Sequence, residues 1–513
     1  MENSLEETVF SPVQQSSAPA RRMNVLVPQN PLIKLSKDEL RSSLRASTLD
    51  GIFATIFSNI TGGVLLSNFL LELGSTPFQI GMLAAIPMVA NLLQPLGAYW
   101  ADATTSRRSY NLWVYSLSRL LWLPLAIGII GLSGQPIHHQ AMIFVTLGVM
   151  LASHLLGAIG SASWLSWLAA LVPRQLRGRY FGFRNSTFSL TSLIALPCLG
   201  FAVSHWRGGS IQGFGVMVTM AVGAGLLSLG FQSRMTDVNP QTYRSVTFRS
   251  TPLRAVASTA KPEDNDSADS SQTTELGNAV FTRAVAIEAE KAHHSIFGND
   301  HFLLFLLYFG IWAFGVNLSN PFFNLYLLDS LALDLRWVTL YNALGAGANL
   351  LMLLFWGKLA DQIGNRAILL FVGVLVALTP LLWLGTGANS YSIWLWFPLL
   401  HLLGGGTMAA IDLCINNLQL AIAPVQHHTK YFAITAAIGG VAGAMGALVG
   451  GWLAQFTPAT GLTGLFTLSS GLRLLALLPL VWVQEPQRRS LWHTLQRLMQ
   501  PFRSRVPGVQ DGV

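Results

Sequence analysis

The chain has 513 residues, of which 51% are hydrophobic and only 11% are charged, and its formal net charge is +8. Soluble domains carry about 25% charged residues, so this composition excludes an ordinary soluble protein and indicates an integral membrane protein. The two cysteines exclude a disulfide framework. We expect no signal peptide, because no apolar core follows the acidic first ten residues before residue 45.

Twelve apolar runs follow a polar start, and each is close to the ~20 residues that a helix needs to cross a bilayer. They are predicted at 47–71, 77–101, 109–131, 139–170, 180–204, 211–231, 302–328, 337–360, 366–386, 391–423, 431–456 and 461–483. Three polar segments lie outside them: an arm at 1–44, a linker at 233–300 and a basic tail at 486–513. We expect the arm to be disordered, because its composition is too polar to form a core, with a short helix around Lys37–Arg45 as one option.

A short motif occurs twice, at the end of the second and of the eighth apolar run. The first copy contains Gly97, Asp102, Arg107 and Arg108, and the second contains Gly357, Asp361, Gly364 and Arg366. A proline seven positions before a tyrosine also recurs, as Pro173 with Tyr180 and as Pro424 with Tyr431. Both pairs are separated by about half the chain, which indicates two duplicated halves.

The basic residues predict the orientation in the membrane. Nearly all of the 31 Lys and Arg residues lie in the two termini and in the even-numbered connections between runs. This asymmetry places both termini and the linker in the cytoplasm, and we expect the cell membrane as the location. Attraction to anionic lipids then accounts for the net charge, so we expect no nucleic-acid partner.

The doubled motif resembles the cytoplasmic signature of the major facilitator superfamily, roughly Gly-x-x-x-Asp-Arg-x-Gly-Arg-Arg. The second copy matches at Gly357, Asp361, Gly364 and Arg366, whereas the first copy has alanine four positions before its aspartate. The resemblance covers residues 45–485. It implies an all-α membrane protein of twelve transmembrane helices in two pseudo-symmetric six-helix bundles, at 45–232 and 301–485. It also implies a secondary active transporter of a small solute that works by alternating access, with proton coupling as one option.

The motif has a physical rationale of its own, because its aspartate can accept hydrogen bonds from the positive N-terminus of a neighbouring helix. In the family, these contacts hold the two halves together on the cytoplasmic side. By resemblance, Asp102 and Asp361 are assigned to a cytoplasmic gate. The alternative is that they are ordinary turn residues flanked by basic side chains.

Asp412 is the leading candidate for binding a proton or substrate, because ionisable groups are costly inside a membrane span. Asn416 and Gln419 follow it at helical spacing, so the three are predicted to share one face. The resemblance places the tenth helix beside the central cavity. The alternative is that Asp412 forms an intramembrane ion pair with Arg473 in the twelfth span, as Asp50 in the first span would with Arg119 in the third.

Other polar residues in the spans indicate a wet cavity. The seventh span carries Asn317, Asn320 and Asn324 on one stripe, the fourth carries His154, and the first carries Asn59. Amides facing a cavity suit a neutral polar or zwitterionic solute. These side chains could equally form hydrogen bonds between packed helices.

No phosphate-binding loop, zinc-spaced Cys/His cluster or nucleophile elbow occurs in the sequence. We therefore expect no enzyme, no metal and no cofactor, with the lipid bilayer and a small-molecule substrate as partners. The rival function on the same scaffold is a non-transporting membrane sensor or receptor, which would bind its ligand without moving it.

Overall fold

The computed structural model describes residues 36–132, 139–172, 176–238, 298–423, 428–456 and 461–484. All regular structure in these residues is helical. Most of the arm, the linker from 239 to 297 and the whole basic tail lie outside the described residues. So does the side chain of Asp102.

Twelve helices are long and apolar enough to cross a membrane. They are α1 (Lys37–Glu72), α2 (Pro77–Ala101), α3 (Arg107–Gly131), α4 (His139–Leu168), α5 (Tyr180–Ser204), α6 (Ser210–Gln232), α7 (Asp300–Ser330), α8 (Leu335–Ile363), α9 (Asn365–Leu382), α10 (Ser392–Ile422), α11 (Tyr431–Phe456) and α12 (Gly461–Trp482). Most bounds agree with the predicted spans to within a few residues. The exception is α1, which begins at Lys37 because Ser36 and Glu39 form a capping box there.

The two sets of six helices pair in the same way. In the first half α1 packs on α5 and α6, α4 packs on α2 and α3, and α3 also packs on α6. In the second half α7 packs on α11 and α12, α10 packs on α8 and α9, and α9 also packs on α12. Each pairing in one half therefore has its counterpart six helices later, as expected of a duplicated unit.

Glycines bring the two halves together along two seams, α2 with α11 and α5 with α8. A Cβ atom on Gly81 would lie 2.5 Å from the Ala447 carbonyl oxygen, and one on Gly451 would lie 2.8 Å from that of Pro77. On the other seam, a Cβ atom on Gly200 would overlap Thr339. The absence of side chains at these glycines lets the backbones approach closely, as small residues do at helix interfaces in membranes.

The contacts between the halves are concentrated at one end of the bundle. Ser204, at the end of α5, donates to Asp334 Oδ1 just before α8, with a distance of 2.8 Å. The opposite end carries the repeated motif and is called the motif end below. There the last part of α2, Gln94–Asp102, packs on α4 of its own half. The molecule is therefore closed at the Ser204 end and open between its halves at the motif end.

Candidate functional site

Three adjoining cavities cross the middle of the protein. The N cavity, of about 370 Å³, lies within the first half, and the central cavity, of about 530 Å³, lies between the halves. The C cavity, of about 310 Å³, lies within the second half. Asn91 lines both the N and the central cavity, and Val316 and Met408 line both the central and the C cavity. The three cavities therefore adjoin one another across the boundary between the two halves, with these residues in their shared walls.

A break in α1 lies beside the N cavity. The helix is interrupted at Thr61 and Gly62, and Gly63 follows with φ +56°, a conformation that glycine adopts readily. Thr61 and Gly62 both line the cavity. The break in α1 therefore forms part of the cavity wall.

Two further helices of the first half are interrupted near prolines. The breaks in α2 and α3 come just before Pro95 and Pro124. A proline has no N–H to bond the carbonyl four residues earlier. In α2 that residue is Asn91, which lines the N cavity. In α3 that residue is Leu120, which follows Arg119 in the sequence, and Arg119 lines the N cavity.

The N cavity contains three charged side chains at its wall, Asp50, Arg119 and Arg184. Asp50 is 5% exposed, and its Oδ1 accepts a hydrogen bond from Ser228. Arg119 donates to the Gly225 carbonyl oxygen on α6. The predicted pair of Asp50 and Arg119 thus shares a cavity, and the two groups attract each other electrostatically. Among the described residues, however, the two form no direct ion pair.

Arg184 is a site residue that is not among the candidates predicted from the sequence. Its guanidinium carbon lies 4.4 Å from the ring centroid of Trp164 and 4.2 Å from that of Phe188. A Cβ atom on Gly51 would overlap the Phe188 ring and would lie 3.1 Å from Arg184 Nη2, so glycine at that position lets both the ring and the guanidinium approach α1 beside Asp50. In the sequence, Arg184 follows closely on the start of a span and resembles one more basic residue near the membrane surface. Only the fold shows that it faces the cavity.

Asp412 lines the central cavity, together with Asn317, Asn91, Gln94 and Trp312. Of Asp412, Asn416 and Gln419, which were predicted to share one face of α10, only Asp412 is among the residues that line the cavity. Asn416 donates to the Asp412 backbone oxygen, whereas Gln419 is buried and donates to the Tyr431 carbonyl oxygen on α11. Gln419 therefore joins two helices and is not among the residues that line the cavity.

The predicted pair of Asp412 and Arg473 does not form. Arg473 is 3% exposed, and its guanidinium donates to three oxygens on α7 and α9: Val376 O at 3.0 Å, Val316 O at 3.3 Å and Ser319 Oγ at 2.8 Å. Asp412 is exposed and forms no ion pair within the described ranges. Backbone and hydroxyl acceptors on neighbouring helices thus satisfy the arginine without the carboxylate.

The asparagine stripe of α7 is divided between two cavities. Asn317 lines the central cavity, and Asn320 and Asn324 line the C cavity, where Asn342 donates to Asn324 Oδ1 at 3.0 Å. His154 lines the N cavity. Asn59 instead donates to Ser192 Oγ on α5 at 3.2 Å, so it joins two packed helices.

The first copy of the motif makes its described contacts within its own half. A Cβ atom on Gly97 would overlap the Ile159 backbone of α4, which explains the glycine there. Ser106 caps the start of α3 and also donates to Asp237, which accepts from the Arg108 backbone N–H as well. Asp237, just after α6, thus supplies an acidic group at the N-terminus of α3.

The second copy also bonds within its half. Gly364 joins α8 to α9 with φ +95°, a conformation that other residues rarely adopt. Arg366 donates to the carbonyl oxygens of Leu480 and Val481 at the end of α12. Arg108 makes the equivalent bond in the first half, to the Ser233 carbonyl oxygen after α6. Gly357 is only loosely surrounded, and Asp361 is exposed at the motif end.

The side chains that commonly bind metals are dispersed along the described helices. The described ranges contain no group of three or more His, Cys, Asp or Glu side chains that could hold a metal ion. The charged groups that line the cavities in the described part of the chain are carboxylates and guanidinium groups, which bind by ion pairing and hydrogen bonding. The cavity walls therefore combine apolar and aromatic surface with a small number of polar and charged groups.

The comparisons with known proteins agree with this architecture. The model of the Major Facilitator Superfamily matches residues 51–400 and 301–502. No curated protein sequence matches the chain significantly.

Several solved structures share the fold. A D-xylose-proton symporter is 14% identical, with a TM-score of 0.65, and the match covers 88% of this chain and 100% of that chain. The nucleoside transporter NupG is 12% identical, with a TM-score of 0.58 and coverage of 88% and 100%. The inward-open xylose transporter XylE from E. coli is 15% identical, with a TM-score of 0.59 and coverage of 90% and 99%. Because the family model spans most of the sequence and the fold agrees with it, the chain belongs to the Major Facilitator Superfamily of secondary transporters.

Proposed function

We propose that the protein carries a small polar solute by alternating access, with the three adjoining cavities as its binding region. The observation that carries this proposal is the asymmetry of the bundle. Glycine seams and the Ser204–Asp334 hydrogen bond close one end, while the halves are apart at the motif end. A solute entering from the motif end would reach the N, central and C cavities, and rocking of the halves would release it at the other end.

We propose that the motif end faces the cytoplasm and that the location is the cell membrane. The distribution of Lys and Arg along the sequence supports this orientation. The arrangement in the structure would then be the inward-open state. In the outward-open state the two motif copies would approach each other, and Asp361 and Asp102 would act there as gate residues.

Asp412 is proposed as the residue that couples transport to protons. Its carboxylate is accessible from the central cavity, at the boundary between the moving halves. Because no described cation forms an ion pair with it, binding of a proton is not opposed by a competing partner. A carboxylate at this position would meet the inner and the outer solution in turn as the halves rock.

The solute would make its contacts in all three cavities. Asn317 and Asn91 face the central cavity, Asn320 and Asn324 face the C cavity, and His154 faces the N cavity. Amide and imidazole groups can both donate and accept, so they suit a hydroxylated solute. The solute is proposed as the partner together with the lipid bilayer, with no nucleic acid and no catalytic reaction.

The deciding experiment measures flux in sealed proteoliposomes that contain a pH-sensitive dye. Sugars, amino acids, organic ions and hydrophobic drugs are added in turn, with protein-free liposomes as the control. A solute that enters and changes the dye signal would establish proton-coupled transport, and entry with a constant signal would remove Asp412 from the coupling role. If a ligand raises thermal stability but nothing enters, the protein is a sensor and the proposal of transport is wrong.

A further inference from the structure

The N cavity carries an excess of one positive charge within the membrane-spanning part of the protein. Arg119 and Arg184 are 6% and 8% exposed, and they face a single carboxylate, that of Asp50, which is 5% exposed. Charged groups inside a membrane span are expensive, and they normally pair with a partner or contact a ligand. With one acid for two guanidinium groups, the cavity can take one further negative charge.

Two of the three charged groups are held by α6. Arg119 donates to the Gly225 carbonyl oxygen, and its guanidinium lies 5.8 Å from the ring centroid of Phe57. Asp50 accepts from Ser228, one helical turn along the same helix. These hydrogen bonds to α6 fix the Arg119 and Asp50 side chains in the wall of the N cavity. The third group, Arg184 on α5, is held in a different way.

Arg184 is held mainly by aromatic rings. Trp164 and Phe188 both lie within 4.5 Å of its guanidinium carbon, a distance typical of cation–π contacts, and Tyr180 is a neighbour one turn earlier on α5. Its Nε finds no hydrogen-bond acceptor in the part of the chain that the structure describes, although the atom is buried. A planar guanidinium fixed by rings with an unused N–H is suited to the two oxygens of a carboxylate.

The rest of the wall suits hydroxyl groups. His154 Nδ1 lies 3.0 Å from the Met150 carbonyl oxygen. Because a carbonyl can only accept, Nδ1 of the neutral ring carries the hydrogen and Nε2 remains an acceptor. Ser58, Ser161 and Asn91 line the same cavity and add hydroxyl and amide groups.

We propose that the N cavity binds a small hydroxylated carboxylate, with Arg184 holding the carboxylate group and His154 Nε2 accepting from a hydroxyl group. A monoanion is favoured over a phosphate dianion because it balances the cavity charge to zero. The proposal rests on the proposed function, since it assigns a substrate class to the same binding region. It revises the neutral or zwitterionic solute that the sequence indicated.

The test uses four probes of similar size and different charge: D-gluconate, D-glucose, D-glucosamine and D-glucose 6-phosphate. Their affinities for the purified full-length protein in lipid nanodiscs are measured by isothermal titration calorimetry. We expect gluconate to bind at least about tenfold more tightly than glucose, because a charge-assisted hydrogen bond exceeds a neutral one.

Substitutions of Arg184 test whether this residue causes the preference for gluconate over glucose. Arg184→Gln should weaken gluconate binding by about 10- to 100-fold and leave glucose binding unchanged. Arg184→Lys keeps the charge but loses the planar guanidinium group, so its affinity for gluconate should lie between that of the parent protein and that of Arg184→Gln. The control is Arg207→Gln, at an exposed arginine between α5 and α6, which should change neither affinity. Asp50→Asn adds one net positive charge to the cavity and should shift the preference towards glucose 6-phosphate.

Three outcomes overturn the proposal: gluconate does not bind, gluconate and glucose bind equally, or Arg184→Gln and Arg184→Lys weaken both equally in correctly folded protein. Binding is measured without flux, so the result is separable from the proposed transport. Gluconate that binds but does not enter proteoliposomes supports the site and contradicts transport. Entry of neutral sugars without a preference for the anion supports transport and contradicts the site.

Discussion

Replacing Gly81 with valine should shift the protein away from the state seen in the structure. The Cβ atom alone would lie 2.5 Å from the Ala447 carbonyl oxygen of α11, and the atom that must move is backbone, so the seam has to separate. Overpacking at a close contact costs about 1–3 kcal/mol. That cost falls only on the state in which this seam is closed. The equilibrium should therefore change by about 5- to 150-fold towards closure at the motif end.

The assay is the distance between spin labels at Tyr99 and Leu354, which are exposed at the motif end of α2 and α8. The labels are placed in a variant without Cys198 and Cys414. In Gly81→Val the distribution should move to shorter distances than in the parent. Gly451→Val, on the other side of the same seam, should give the same change, because its Cβ atom would meet the Pro77 carbonyl oxygen.

The matched control is Gly148→Val in α4, where an added Cβ atom meets nothing within 4 Å. It changes the same residue type by the same volume without touching a seam. If both seam variants fold and give the distance distribution of Gly148→Val, then contact at the α2–α11 seam does not set the state, and the reasoning is refuted.

Three further predictions concern named residues. Asp412→Asn should abolish solute accumulation driven by a pH gradient while solute exchange continues, because an amide cannot carry the proton. The control is Asp329→Asn, at an exposed aspartate, and unchanged accumulation in Asp412→Asn would exclude Asp412 from coupling. Arg473→Met should lower the free energy of unfolding by about 2–5 kcal/mol, since three buried bonds are lost. In the double variant Arg473→Met/Asp412→Asn, the two losses in the free energy of unfolding should add to within about 0.5 kcal/mol, as measured by thermal unfolding. A double variant more stable than Arg473→Met alone would restore the ion-pair interpretation. Gly364→Ala should cost about 1–3 kcal/mol, because its φ of +95° and ψ of 152° fall in a region that only glycine adopts readily. Gly385→Ala is the control, and equal stability of the two variants would contradict the strain argument.

The sequence predicted the helices well because a membrane-spanning helix is defined by a local property, the length of an apolar run. The repeat also followed from local motifs, since Asp102 and Asp361 recur at the ends of corresponding helices. The beginning of α1 was predicted too late because its first turns are polar, although Ser36 and Glu39 together form a capping signal that could have located it.

The contacts of individual polar side chains were not predictable to the same degree. Arg473 and Asp412 lie at similar depth, but depth along a helix does not fix the direction of a side chain around it. Arg473 faces α7 and α9, whose backbone oxygens accept its hydrogen bonds. Arg184 is absent from the predicted candidates for the same reason, because its place in the cavity depends on the packing of α5 against α1, where Gly51 leaves room for Phe188 and the guanidinium. Such information is non-local and appears only once helices are packed.

The glycine seams also act as pivots. Ala101 lies 20 residues from Gly81 in α2, and Tyr180 lies 20 residues from Gly200 in α5, so each helix extends about 30 Å from its seam glycine towards the motif end. A rotation of roughly 15° about a pivot at one end moves the other end by about 8 Å, and rotations of that size occur between domains in other proteins. A sphere that fills the N cavity, at about 370 Å³, has a diameter of about 9 Å. The displacement at the motif end is therefore close to the diameter of the N cavity, so a small change in helix tilt, with each half moving as a unit, opens an entrance about as wide as the cavity itself.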